Sequence, residues 1–169
     1  PLAFADAQVM GQGQGIASIT GGPAAAQIST GSAATLIDGN VNLQSGWFGF
    51  YADAPVSFDI SLSSATALNS FVLWNDRDQA GKGGQSNHGD GAKNFSLDLY
   101  GAGNTLLARY TGLSPDSVSE IYFDFGQSIA GVTRATWTIA DFYGVGAADN
   151  NQLREIGFNY VVGAPVYGF

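Results

Sequence analysis

The chain contains no cysteine, and this absence removes several kinds of chemistry at once. Disulfide bonds, thiol nucleophiles and zinc sites with cysteine ligands are all excluded. The absence does not place the protein inside a cell, because many bacterial secreted proteins lack cysteine and rely on metals or large cores. The redox compartment is therefore open at this point.

Charged residues are also scarce, at 12% of the chain, with six lysines and arginines against fourteen aspartates and glutamates. The net charge of −8 argues against nucleic acids and anionic membranes as partners, since both need clustered positive charge. No apolar run approaches the roughly 18 residues of a membrane span, so we expect no membrane insertion. Neutral sugars, cations and other copies of the chain remain compatible as partners. The low lysine count and the neutral surface favour a secreted, extracellular protein, which we expect to be bacterial or viral.

No stretch of about ten residues has the period of an amphipathic helix, whereas several stretches alternate between apolar and polar residues. Val56, Phe58 and Ile60 alternate with Ser57 and Asp59, which is typical of a half-buried strand. We predict main strands at 56–62, 68–74, 95–100, 105–110, 119–125, 132–139 and 153–161, with short edge strands at 16–19 and 26–29. Turn residues separate them at short intervals, which predicts an all-β fold, an antiparallel jelly-roll β-sandwich of about eight strands.

The 169 residues, 45% of them hydrophobic, predict one domain with a real core. We place the jelly roll at residues 30–162. A glycine- and alanine-rich arm precedes it at 1–29, and a short tail follows at 163–169. Such arms can add to the sheet edge or pocket of a neighbour, so a homo-oligomer built through the arm and the tail is an alternative.

Three oxygen-bearing side chains, Asp38, Asn40 and Asn42, occupy alternate positions after two apolar residues. Gly39 lets the backbone turn so that main-chain carbonyls can join them. Calcium takes about six to eight oxygen ligands, which makes this loop a candidate calcium site. The glycine and closing glutamate of an EF-hand loop are missing, so further ligands must come from elsewhere. The alternative is an Asx-type turn whose side chains satisfy themselves.

Six short motifs follow one another along the chain. They lie at residues 34–40 with Trp47, 56–60, 68–75, 95–100 with Gly103, 132–137 and 154–156. In this order they resemble the discoidin, or coagulation-factor type C, family of galactose-binding-like β-sandwiches. The first resembles the family's A-x-x-I-D-G-N loop with its following tryptophan, and the last resembles its closing x-E-I strand. The resemblance implies the same jelly-roll fold.

That family often carries a structural calcium beside the D-G-N loop, with a ligand from the closing strand. The resemblance therefore implies a calcium held by Asp38 and Glu155, with Asn40 and Asn42 or their carbonyls nearby. Glu155 supplies the strong anionic oxygen that the loop lacks by itself.

In this fold, ligands usually contact loops at one end of the sandwich, and the resemblance implies a glycan or cell-surface carbohydrate as the partner. Sugar recognition needs aromatic faces and planar hydrogen-bonding groups. Candidate contact residues are Trp47, Phe48, Phe50, Tyr51, Asn75, Arg77, His88 and Tyr143. Residues 48–51 hold three aromatics, and some of them should be exposed. The alternative for His88 is a solvated loop histidine, and Trp74 and Trp137 are expected in the core.

No serine has the G-x-S-x-G surroundings of a hydrolase nucleophile, and fourteen acidic residues allow too many pairs to indicate a glycosidase. We therefore expect a secreted, non-catalytic module that binds carbohydrate and carries one structural calcium. The alternative is a self-assembling extracellular subunit of a filament, surface layer or virion, favoured by the low charge, the arm and the aromatic tail. An enzyme has the least support.

Overall fold

The computed structural model describes residues 9, 11–41, 46–75, 91–115, 120–143, 150–159 and 166–168. These residues form nine strands: β1 Ile16–Gly21, β2 Ile28–Thr30, β3 Phe48–Phe50, β4 Val56–Asn75, β5 Asn94–Tyr100, β6 Leu106–Leu113, β7 Glu120–Ile139, β8 Asn151–Phe158 and β9 Val166–Gly168. Three short 3-10 helices lie at Ala25–Gln27, Ala33–Ile37 and Ala102–Asn104. None of the helices in this part of the chain is long and apolar enough to cross a membrane. The predicted all-β sandwich is confirmed. The edge strand predicted at 16–19 lies within β1, but of the one predicted at 26–29 only residues 28 and 29 are in a strand, β2, because Ala25–Gln27 is a 3-10 helix.

The strands form two layers that share β4 and β7. In the first layer the order is β1, β4, β7, β5 and β6, and this layer uses the first half of β4 and the second half of β7. In the second layer the order is β2, β3, β8, β4, β7 and β9, and this layer uses the other two halves. Described neighbours are antiparallel except β7 and β9, which run parallel.

The continuity of β4 and β7 corrects the prediction of four separate strands. We expected turns at residues 63–67 and 126–131, but each strand is one element of 20 residues. Pairing between β4 and β7 continues through the bend, where Leu68 lies opposite Ile129. Register shifts in this stretch let both strands pass from one layer to the other without ending.

An aromatic core fills the space between the layers. Phe71 of the second layer contacts Trp137 and Phe95 of the first, with ring centroids 5.6 and 5.7 Å apart. Phe95 also packs against Phe123, at 5.0 Å. All four rings are buried, so the prediction that Trp137 belongs to the core is confirmed, whereas Trp74 is only half-buried. Removing one such ring costs about 3–5 kcal/mol, so these contacts between the layers are a main source of stability.

Two buried asparagines mark the two ends of the sandwich. At one end, here called the Asn75 end, β4 and β6 finish and β5 and β8 begin. β7 also begins here, with Glu120 opposite Trp74, and its last residue, Ile139, lies opposite Phe95 near the start of β5. The opposite end, here called the Asn159 end, lies where β8 finishes beside the bend of β4. The candidate site described next is close to the Asn75 end.

Candidate functional site

A loop at residues 38–41 follows the 3-10 helix Ala33–Ile37. The last two residues of that helix are buried in the core, which fixes the place where the loop begins. Within the loop, Asp38 Oδ1 accepts a hydrogen bond of 2.7 Å from the Asn40 N–H. The Asx-type turn that the sequence allowed is therefore present, and it holds the Asp38 carboxylate at the start of the loop.

Glu155 of β8 lies against this loop, so the structure brings the D-G-N segment and the closing strand together. The Gly39 N–H donates a hydrogen bond of 3.0 Å to Glu155 Oε2. Gly39 has a φ of +82°, which side-chain-bearing residues rarely adopt, and this conformation turns its N–H toward the carboxylate.

The Glu155 carboxylate is buried, with 1% of the residue exposed. Its second oxygen, Oε1, has no hydrogen-bond partner among the described residues. Desolvation raises the pKa of Glu155 from 4.5 to about 8, although the Gly39 N–H opposes the shift. The negative charge of Asp38, and a hydrogen bond that protonated Glu155 donates to Asp38, add to it. A buried carboxylate with an unused oxygen beside a second carboxylate is a place where a bound cation would be stabilising.

A β-bulge in β8 sets the positions of Arg154 and Glu155. Trp74 of β4 lies opposite Glu155, but the next residue, Asn75, lies opposite Leu153. Arg154 is therefore an extra residue without an opposite partner in β4. An extra residue of this kind bends the strand locally and re-aims its side chains. The bulge explains how two adjacent charged residues of β8, Arg154 and Glu155, can both be buried.

The residues present fit a hard cation such as calcium. Asp38 and Glu155 offer anionic oxygens, and Asn40 is part of the same loop. A Cβ at Gly46 would collide with the main-chain oxygen and side chain of Asn40, so glycine lets the chain return close to the loop. The described residues contain no cluster of three or more histidine, cysteine or acidic side chains, so further ligands would be amide and carbonyl oxygens, which suit calcium. Asn42 lies outside the described residues, and its part stays a prediction.

Phe48 and Phe50 are buried, so the prediction that they contact a ligand is wrong. Both lie in β3, with exposures of 1% and 0%, and residues two apart in a strand share a face. The ring of Phe48 packs against Phe58 at 6.2 Å, and the ring of Phe50 packs against Phe142 at 5.6 Å. Tyr51, directly after the strand, is 38% exposed and is the aromatic of this segment that solvent reaches most.

Asn75 is also buried, at 0% exposure, which removes it from a solvent-accessible binding surface. Its Nδ2 donates hydrogen bonds to the Ala92 carbonyl at 2.7 Å and to Ser114 Oγ at 2.9 Å. Its Oδ1 accepts a hydrogen bond of 2.8 Å from the Ala92 N–H. The prediction of direct ligand contact is corrected, because this side chain satisfies main-chain groups where β4 ends.

Tyr143 and Trp47 are half-buried. The Tyr143 hydroxyl donates a hydrogen bond of 2.6 Å to the Ser114 carbonyl, and Lys93 Nζ lies 5.6 Å from the centre of the Tyr143 ring. These contacts place Tyr143 at the Asn75 end. The predicted contact residues Arg77 and His88 lie outside the described residues.

Arg154 is a residue to which the sequence analysis assigned no role. Only 3% of it is exposed, and its guanidinium donates to two main-chain carbonyls. The Nε–H donates to Asn75 O at 2.9 Å, and Nη1 donates to Val41 O at 2.7 Å. The available signal was a pair of adjacent charges within an apolar closing strand, because a buried charge needs partners that hold it.

No family model matches the chain, and no curated protein matches it in sequence. Solved structures do match. CpGH89CBM32-5 of Clostridium perfringens, in complex with GalNAc-β-1,3-galactose, superposes with a TM-score of 0.59 at 17% identity, over 85% of this chain and 94% of that chain. The family 32 carbohydrate-binding module from C. perfringens NanJ, in complex with galactose, gives a TM-score of 0.58 at 18% identity, over 89% and 97%.

A Streptococcus pneumoniae fucose-binding module gives a TM-score of 0.59 at 13% identity, over 94% of this chain and 98% of that chain. At these identities the similarity shows the fold. The chain has the galactose-binding-like β-sandwich fold that its sequence resemblance implied.

Proposed function

We propose that this chain is a secreted, non-catalytic carbohydrate-binding module. The observation that carries the proposal is the agreement in fold, over at least 85% of this chain, with structures described as complexes with galactose and with GalNAc-β-1,3-galactose. The composition agrees, because a surface with few charges suits a neutral sugar.

The Asn75 end is the proposed contact surface. Tyr51, which is 38% exposed, and the half-buried Tyr143 bring aromatic rings there, and Lys93 adds an amino group beside Tyr143. Aromatic faces accept the C–H groups of a sugar ring, and an ammonium group donates hydrogen bonds to hydroxyls. Arg77 and His88 stay proposed contacts on sequence grounds alone.

The proposal includes one structural calcium at the 38–41 loop. Asp38 and Glu155 would supply anionic oxygens, and Asn40 and Asn42 would supply side-chain or carbonyl oxygens. When bound, calcium would supply the positive charge that offsets two neighbouring carboxylates, one of them desolvated. The unused Glu155 Oε1 is the observation that supports this assignment.

Self-assembly through the arm and the tail stays a prediction. Where the structure describes these parts, they contact their own chain. β9 pairs with β7, and Val9 forms an isolated bridge with Phe158. No observation on the described residues favours this alternative over sugar binding.

A glycan array, followed by calorimetry in calcium, tests the proposed function. The array should display galactose, N-acetylgalactosamine and fucose. We expect binding to at least one of these, and Tyr51→Ala should weaken it about tenfold because an exposed ring at the contact surface is lost. Leu106→Ala is the matched control, since Leu106 is 46% exposed at the start of β6, away from the Asn75 end. Absence of binding to every glycan by a folded, calcium-loaded protein would contradict the proposal.

A further inference from the structure

One guanidinium joins the candidate calcium loop to the Asn75 end. Arg154 donates through Nη1 to the carbonyl of Val41, in the loop that carries Asp38. The same side chain donates through Nε to the carbonyl of Asn75, at the last residue of β4. The two acceptors belong to segments far apart in sequence, and a side chain with donors in a fixed planar fork holds both at once.

The hydrogen bonds continue from Asn75 to the other strand ends. Its side chain holds both main-chain groups of Ala92 and also donates to Ser114 Oγ. The Ser114 carbonyl then accepts the hydroxyl of Tyr143. A continuous set of hydrogen bonds therefore runs from Val41 to Tyr143. Asn75, Ala92 and Ser114 are each 0% exposed.

Burial makes this set of hydrogen bonds stiff. Arg154 is 3% exposed, and a buried charge that loses a partner costs more free energy than a solvent-exposed one. The β-bulge that makes Arg154 an extra residue in β8 also fixes the direction of its side chain. A displacement of Val41 must therefore either break a charge-assisted hydrogen bond or move the guanidinium that holds Asn75.

We propose that Arg154 is a positioning residue that couples calcium at the 38–41 loop to the sugar-contacting Asn75 end. Calcium at Asp38 and Glu155 fixes the loop and with it the Val41 carbonyl. Arg154 passes this constraint to Asn75, which orders Ala92 and Tyr143. The inference rests on the proposed function. By linkage, calcium and glycan then raise each other's affinity by the same factor, which we expect to be about five- to tenfold.

Hydrogen exchange at backbone amides, with calcium or with a chelator, tests this coupling without needing the identity of the sugar. The amides of Gly39 and Asn40 report on the loop, because the first donates to Glu155 of β8 and the second to Asp38. The amides of Ala92 and Tyr143 report on the Asn75 end. In the wild-type protein we expect calcium to slow exchange about tenfold at both pairs.

Arg154→Lys distinguishes coupling between the calcium loop and the Asn75 end from a general loss of stability. The single amino group of lysine cannot replace two donors on two different nitrogens. Calcium should still slow Gly39 in this variant, but its effect on Ala92 should disappear. A merely structural role would change exchange equally with and without calcium. The matched control is Arg134→Lys, whose arginine pairs with Asp59 on the outer face of the first layer, and it should keep both effects.

Ser114→Ala is a milder variant that keeps the test decisive if Arg154→Lys does not fold. It removes one acceptor of Asn75 and should reduce the calcium effect at Ala92 and Tyr143 together, because the Tyr143 amide donates to Gly91 O next to Ala92, while Gly39 stays protected. Protection by calcium at Gly39 alone in the wild-type protein would overturn the coupling and leave the calcium site intact. If no amide responds and calorimetry detects no calcium binding, the site itself fails, and the coupling fails with it.

Discussion

Buried asparagines organise both ends of the sandwich, but they are connected differently. At the Asn159 end, Asn159 Oδ1 accepts the Asn69 N–H at 2.9 Å, and Nδ2 donates to Ala67 O at 3.3 Å. Both partners are neutral main-chain groups of β4. At the Asn75 end, the asparagine performs the same task for Ala92, but its own carbonyl is held by the charged side chain of Arg154.

The difference between the ends is one of charge. The Asn159 side chain bonds to neutral groups of its own sandwich, as buried polar groups in a core usually do. Beside the Asn75 end lie a buried guanidinium and Glu155, whose Oε1 has no described partner. A buried carboxylate with unused bonding capacity destabilises the protein unless a proton or a ligand compensates it, which is why the proposed calcium is placed near this end.

The largest expected effect comes from removing each asparagine. Asn75→Ala should cost about 3–4 kcal/mol, because Ala92 and Ser114 lose their buried partners and the Arg154 contact loosens. Asn159→Gly should cost about 2 kcal/mol. Glycine is the matched replacement there, since Asn159 has a φ of +76°, which glycine adopts without strain. Urea unfolding of both variants measures the difference, and a larger loss at Asn159 would contradict the comparison.

The next effect is a pH dependence at Glu155, close to the Asn75 end. In a chelator, the folded-state pKa of Glu155, about 8, lies above its ordinary value of 4.5, so the folded protein binds the proton more tightly than the unfolded chain. The stability from this group is fully present below pH 4.5 and is lost as the pH rises to about 8. We expect the free energy of unfolding to fall across this window by less than the roughly 5 kcal/mol that a shift from 4.5 to about 8 gives, because solvent screens a carboxylate that is only partly desolvated.

Thermal and urea unfolding across the window, in a chelator and then in calcium, check this prediction. Calcium should reduce the slope, because it stabilises the ionised carboxylate, and Glu155→Gln should abolish the slope in the chelator. Glu120→Gln is the matched control and should keep the slope. A slope that survives in Glu155→Gln would assign the proton to another group.

The smallest effect compares two glycines with positive φ. Gly39 has a φ of +82° and Gly103 a φ of +66°, and a Cβ at either position meets no described atom within 4 Å. Either glycine replaced by alanine should therefore lose about 1 kcal/mol from backbone strain alone. Gly39→Ala should also weaken calcium binding, measured by calorimetry, because the Gly39 N–H holds Glu155. Equal calcium affinity in the two variants would contradict the proposal that the 38–41 loop binds the metal.

Period-two alternation predicted the strands correctly where one face meets the core. Phe58 and Trp137 are fully buried because each points inward from a strand whose neighbours point outward. The expectation of exposure at Phe48 and Phe50 rested instead on three aromatics crowded into four residues. It failed because whether a short aromatic segment is covered depends on which strands flank it. β3 is flanked by β2 and β8, which lie far from it in sequence.

The candidate site divides in the same way. The D-G-N segment, with its oxygen donors and Gly39, was visible in the sequence because its residues are neighbours. The resemblance then pointed to Glu155 as its distant partner. The role of Arg154 was not visible, because it depends on a bulge of one residue in β8. Asn75 was read as a ligand contact, because its burial depends on Ala92 and Ser114 closing over it.

By itself, the sequence determined an all-β chain with few charges, alternating strands and an acidic loop that turns at a glycine. These properties follow from local spacing and side-chain chemistry, because they depend only on residues that are close together in the sequence. Tertiary structure alone decided which polar groups are buried together and which of them stay unsatisfied. The pKa of Glu155 is raised only when the 38–41 loop folds over β8 and excludes water from the carboxylate. Desolvation of this kind is a property of the assembled fold.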